Sequence, residues 1–143
     1  MADSSPRPTP PKPLPTPSPE SAPFWLAARN HQLHIPFCNT CEKFWFPPSC
    51  LCPNCLSDDT GWREVSGLGR VHSHVVFHRA FHPAFTHDVP YVVAVIELDE
   101  GPRLVSNIVG FGPGEIRCGM RVKVTYDDVT AQVTLPKFAP HNA

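Results

Sequence analysis

The chain has 143 residues and a formal net charge of −1, from 12 Lys plus Arg against 13 Asp plus Glu. Nineteen residues are proline, nine of them in the first 23 positions, so the rest has an ordinary proline content and the length of one domain or two very small ones. A large multidomain enzyme is excluded, no apolar run nears the roughly 18 residues of a membrane span, and no global charge draws the chain to nucleic acid or anionic membrane.

Residues 1–23 (MADSSPRPTPPKPLPTPSPESAP) alternate proline with Ser, Thr and Lys. Such a segment buries too little apolar surface to offset its ordering entropy, and the expected state is a disordered tail of polyproline II character. It contains no apolar h-region of a secretory signal. Pro23 sits where a first helical turn would begin, with Ser21 before it as a cap, and FWLAARN predicts a short amphipathic helix of about two turns. Gln32–Ile35 alternates polar and apolar residues as a short strand does.

The strongest chemical signal follows. Cys38-Asn-Thr-Cys41 is separated by ten residues from Cys52-Pro-Asn-Cys55. A C-x2-C turn aims two thiolates at one point, and a second such turn completes a tetrahedron around Zn²⁺. Four sulfur ligands leave no position for water, so the expected site is one structural zinc in a rubredoxin-like ribbon. A rubredoxin-type iron site uses the same ligands, and the cysteines alone do not separate the two metals. Six cysteines without a secretory signal point to a reducing, cytoplasmic compartment. Cys50 reads as a spare thiol beside the second knuckle, and Cys118 as a small buried hydrophobe.

From Trp62 onward the pattern is that of strands. Segment 62–79 reads as one long strand interrupted at Gly67 and Gly69. Tyr91–Leu98 and Arg103–Val109 flank a turn at Asp99–Pro102 and form a hairpin. Phe111–Gly119 is a glycine-punctuated loop, Arg121–Tyr126 alternates strictly, and Ala131–Leu135 closes the set. The expected fold is mainly β: a short helix and zinc ribbon, then a five-stranded barrel of the OB type. The expected division is a tail over 1–23, helix plus ribbon over 24–61, and barrel over 62–143.

His72, His74 and His78 have even spacing and would share one face of a regular strand. No cysteine or paired carboxylate stands near them in sequence to complete a metal site or a general base, so they read as polar exterior residues. No Ser-His-Asp order, P-loop or dinucleotide fingerprint occurs, and no catalytic residue is assigned.

Several of these residues together resemble a known family. They are Phe24-Trp25, the two knuckles separated by Phe44-Trp45-Phe46-Pro47-Pro48, Trp62 before Ser66-Gly67-Leu68-Gly69, and the run Glu97–Pro102. From about Phe24 to Phe138 the chain resembles the acyl-CoA-associated zinc-ribbon/OB-fold family, long catalogued as a domain of unknown function. The resemblance implies a non-catalytic accessory subunit that pairs with a thiolase-like enzyme in a hetero-oligomer. Other members accompany aldolases, acyltransferases or hydratases. It further implies that the subunit helps form or cover the partner's acyl-CoA site, with the CoA thioester as shared substrate. The four knuckle cysteines take the family's metal positions. The family usually places glycine after each knuckle, where Glu42 and Leu56 stand here, and its Pro-Pro-Arg is Pro-Pro-Ser, ending at Ser49. His78, Arg79 and Arg103 are the candidates for contacting CoA phosphates.

The aromatic and apolar excess around Phe44–Phe46 and Phe77–Phe85 exceeds what a small barrel core needs and suits a partner surface. A second reading is a nucleic-acid-binding ribbon/OB module. Of the aromatics that reading needs on the central strands, the sequence supplies Tyr91. Neither nucleic acid nor membrane is an expected partner.

Overall fold

The apolar alternation of one strand organises the whole molecule. In the computed structural model, which describes residues 8 and 10–142, β4 (Tyr91–Leu98) buries Val92, Ala94, Ile96 and Leu98 and turns the residues between them outward. Around it, β3 (Leu68–Phe77), β5 (Arg103–Ile108), β6 (Arg121–Asp128) and β7 (Thr134–Pro140) close a barrel in the order β3-β4-β5-β7-β6. Every neighbouring pair is antiparallel except β5 and β7, which meet in parallel at one rung, Ile108 with Phe138. This is the expected five-stranded OB-type barrel.

Before the barrel come helix α1 (Ala22–Arg29) and the antiparallel pair β1 (His34–Cys38) and β2 (Thr60–Glu64). Phe24, Ala27 and Ala28 recur at helical spacing and form the buried face of α1. Ser21 does stand at the N-cap, but its hydroxyl accepts from the Ser18 amide at 2.9 Å and makes no cap bond. Phe24, Leu33 and Ile35 run into the same core as Val71, Val122 and Phe138, so helix and ribbon are packed on the barrel. At the far end of α1, His31 stacks on Tyr126, with ring centroids 4.9 Å apart, and its Nε2 lies 2.9 Å from an Asp128 carboxylate oxygen.

Three elements differ from their sequence reading. The run 62–79 is two strands in different sheets, because β2 pairs with β1 before the chain turns at Gly67. Gly67 has φ +78°, and a Cβ there would stand 2.3 Å from Val124 Cγ1, so a side chain is excluded by both backbone and space. The short strand begins at His34 instead of Gln32. The last strand begins at Thr134, because the Thr130 hydroxyl accepts from the amides of Gln132 and Val133 and draws residues 131–133 into the turn.

Gly69 is needed for a different reason. A Cβ there would meet the Glu97 carbonyl oxygen at 2.6 Å. Gly69→Ala must push β3 from β4 and is expected to cost about 1–3 kcal/mol, read as a lowered urea midpoint.

The β4–β5 turn is fixed to β6 by a two-pronged pair, Arg121 Nη1 and Nη2 to the Asp99 carboxylate at 2.6 and 2.8 Å. Hydrogen bonding to Arg121 holds the Asp99 carboxyl below its ordinary range. A depressed folded-state value means that the pair contributes above the unfolded value of about 4 and is lost as pH falls through the folded one. The urea midpoint is therefore expected to drop below about pH 4, with a smaller drop in Asp99→Asn.

Candidate metal centre

The two cysteine turns are copies of one local structure. In the first, the Glu42 amide donates to the Cys38 carbonyl at 2.8 Å and the Cys38 amide to Lys43 at 2.9 Å. In the second, the Leu56 amide donates to Cys52 at 2.8 Å and the Cys52 amide to Ser57 at 3.0 Å. Each turn closes through a residue in the left-handed region, Glu42 at φ +56° and Leu56 at φ +61°. These are the positions where the family resembled has glycine, which explains that preference: only glycine adopts this conformation without a Cβ penalty. Leu56 is largely exposed and loses little packing on truncation. Leu56→Gly is expected to stabilise the knuckle by up to about 1 kcal/mol, seen as slower metal loss to a chelator.

The turns bring all four thiols together. The Sγ atoms of Cys38, Cys41, Cys52 and Cys55 lie within 4.8 Å of one another. Two pairs meet across the knuckles, Cys38 with Cys55 and Cys41 with Cys52, each at 3.6 Å. Ligands about 2.3 Å from a central ion stand about 3.8 Å apart at the corners of a tetrahedron, so this cage fits one metal ion. Cys38 and Cys52 are buried, and Trp45 packs on them. The indole of Trp45 donates to Ser49 Oγ at 3.1 Å, and Ser49 in turn donates to the Leu51 carbonyl at 2.7 Å. The residue that replaces the family's arginine thus serves the ribbon.

The thiols are electrostatically unequal. The Cys41 amide, 3.4 Å from Cys38 Sγ, pulls the Cys38 thiol down to about 6 against the upward push of burial. At Cys55 the Ser57 backbone acts downward, but burial and hydrogen bonds from the other three thiols outweigh it and push the value up to about 12. Four thiolates crowded together resist ionisation one after another, and a bound cation removes that conflict.

Cys50 is exposed and outside the cage. Cys118 is exposed as well, contrary to the expectation of a buried hydrophobe, and its Sγ lies 3.9 Å from His74 Nδ1. A break in register between Val71 and Ser73 puts His72 at a bulge. It therefore falls out of phase with His74, which is aligned with the buried Ala94, and His78 lies beyond the end of β3. The three histidines do not form one row.

His78 and Arg79 are exposed where β3 ends, with the Arg79 guanidinium 5.7 Å from the Phe81 ring. Arg103 is exposed opposite Glu97, 3.6 Å from its carboxylate. Phe77, next to His78, pairs with Tyr91 at one end of β4, and Arg103 pairs with Glu97 six residues along. At about 3.3 Å per residue that separates the two groups by roughly 20 Å along the strand. A cleft that the sequence did not reveal lies nearer the first group. It has a volume of about 730 Å³ and lies over β4, β5 and β7 between the β3–β4 connection and the β6–β7 turn.

Over residues 62–127 the chain matches the family model for the C-terminal OB-fold domain of ChsH2. It is 36% identical over 93 residues to a DUF35 domain-containing scaffold protein of Methanothermobacter thermautotrophicus, covering 64% of this chain and 69% of that protein. The chain belongs to the DUF35 family. It is 43% identical over 118 residues to a probable enoyl-CoA hydratase alpha subunit of Thermomonospora curvata, covering 82% of this chain but 36% of that subunit. This DUF35 chain thus spans about a third of that relative. Among solved structures it superposes on a chain of an Ltp2-ChsH2(DUF35) aldolase with TM-score 0.81 and 40% identity, covering 88% of this chain and 98% of that one.

Proposed function

We propose that the chain is a non-catalytic accessory subunit of an acyl-CoA-processing complex. It pairs with a thiolase-like catalytic subunit in a hetero-oligomer and helps form or cover the acyl-CoA site. The observation that carries this reading is the near-complete superposition, at 40% identity, on a chain of the Ltp2-ChsH2(DUF35) aldolase. The outer barrel surface supports it. Val75, Phe81 and Val105 are 55, 75 and 67% exposed, an apolar surface that a partner would cover.

In this reading the four-cysteine cage holds one structural Zn²⁺, and the metal supplies folding energy to the ribbon, not chemistry. Such thiolates persist in a reducing cytoplasm. His78, Arg79 and Arg103 supply the contacts to CoA phosphates. The working units are the proline-rich tail over 1–23, helix plus ribbon over 24–61 and barrel over 62–143, with β2 completing the ribbon across the last boundary. The nucleic-acid reading is disfavoured because the chain carries a formal net charge of −1 and the central strands β4 and β5 supply one aromatic, Tyr91.

Co-expression with the products of neighbouring genes, followed by affinity purification and mass spectrometry, tests the assignment. The expected result is a stable complex with a thiolase-like subunit whose turnover of acyl-CoA depends on this chain. Purification as a monomer that turns over acyl-CoA by itself would overturn it.

A further inference from the structure

OB barrels take their ligands across the second and third strands, between the loops that join strands one to two and four to five. In this barrel that face is β4 and β5, flanked by the β3–β4 connection and the β6–β7 turn. The cleft of about 730 Å³ lies there. Its size is that of a site for a small organic ligand, and Phe85, Tyr91, Val93, Ile108 and Leu135 make its lining apolar.

The chain's own proline-rich segment lies across it. Pro13 and Leu14 form part of the cleft wall. Lys12 is anchored twice, by an ion pair with Asp88 and by its ammonium 5.6 Å from the centre of the Phe85 ring. Further along, Pro15 and Pro17 share a crevice with Trp25 and Val133. Prolines at 11, 13, 15 and 17 hold this stretch extended in advance, so laying it on the barrel costs little backbone entropy. The anchors are weak individually: both charges of the ion pair are 40% exposed or more.

We propose that the cleft is a binding site for an uncharged apolar ligand or the apolar part of a larger one, and that residues 12–14 are a strap walling it in cis. With the strap in place the cleft is open, and residues 12–14 wall the space that the ligand fills. Loosening the strap therefore weakens ligand binding. The proposal is independent of the accessory-subunit reading, since it concerns a site completed by this chain alone.

The test is a fluorescence titration of the full-length chain with Nile red, a neutral apolar dye. Lys12→Ala removes both the ion pair and the cation–π contact and is expected to weaken dye binding about threefold or more. Asp88→Asn removes the pair alone and is expected to weaken it about twofold. Leu14→Ser, which changes no charge but removes an apolar wall, is expected to weaken binding as well. Val93→Trp, on the outward face of β4, fills the cleft and is expected to abolish binding. Equal dye affinity in the wild type, Lys12→Ala and Leu14→Ser would overturn the strap. Dye binding unaffected by Val93→Trp would overturn the site.

Discussion

Replacing Cys38 by serine is expected to empty the ribbon of metal and unfold its two knuckles while the barrel stays folded. Cys38 ends β1, is fully buried and lies 3.6 Å from Cys55 across the cage. The knuckles have few buried apolar side chains of their own: the cluster there is Cys38, Trp45 and Cys52, two of which are candidate ligands. Metal binding at such a site is worth on the order of 10–16 kcal/mol, and that energy is the folding energy of the segment. Elemental analysis after dialysis should find about one zinc per wild-type chain and close to none in Cys38→Ser. Near-ultraviolet circular dichroism should lose the Trp45 contribution. Cys50→Ser and Cys118→Ser are the controls, since both thiols are exposed and outside the cage, and both should keep full occupancy. Undiminished zinc in Cys38→Ser would mean that the ligand set is different.

Phe138→Ala is expected to cost about 3–5 kcal/mol, the range for removing a large aromatic side chain from a packed core. Phe138 has no exposed surface and stands where the barrel closes, opposite Val124 on β6 and at the one rung shared with Ile108 on β5. Against a total stability of typically 5–15 kcal/mol, this loss takes a large share and should appear as a much lower urea midpoint. Val105→Ala on the outer face is the matched control. That side chain is mostly exposed, and its truncation should stay within about 0.5 kcal/mol. Comparable effects at the two positions would contradict the placement of the core.

Where a pattern is local, the sequence was enough. The two C-x2-C turns are self-contained, so their spacing announced the cage. The alternation in Tyr91–Leu98 likewise announced which residues would be buried. Difficulties arose where a residue's state depends on a distant partner. Trp62–Glu64 leads directly into the residues of β3, yet it pairs with β1, and nothing within 62–79 encodes that choice. Thr134–Pro140 contains two prolines, which argue against a strand, and only pairing with β6 makes one of it. Gly67 does mark the bend between β2 and β3, but the bulge that puts His72 and His74 out of phase lies beyond the glycines, between Val71 and Ser73. The cleft was invisible for the same reason, since its walls come from segments more than a hundred residues apart.

The single-rung closure between β5 and β7 leaves two strand edges side by side with few ladder bonds between them, and such edges ordinarily invite a foreign strand. This seam is poorly suited to one. Pro136 carries no amide to offer, and its carbonyl is already taken by the Ser106 hydroxyl at 2.9 Å. The next available group, the Phe138 carbonyl, accepts the Val109 amide at 2.8 Å. A second molecule approaching the seam finds a missing donor and two occupied acceptors. The barrel can thus leave its closure thin without becoming a template for strand exchange or aggregation.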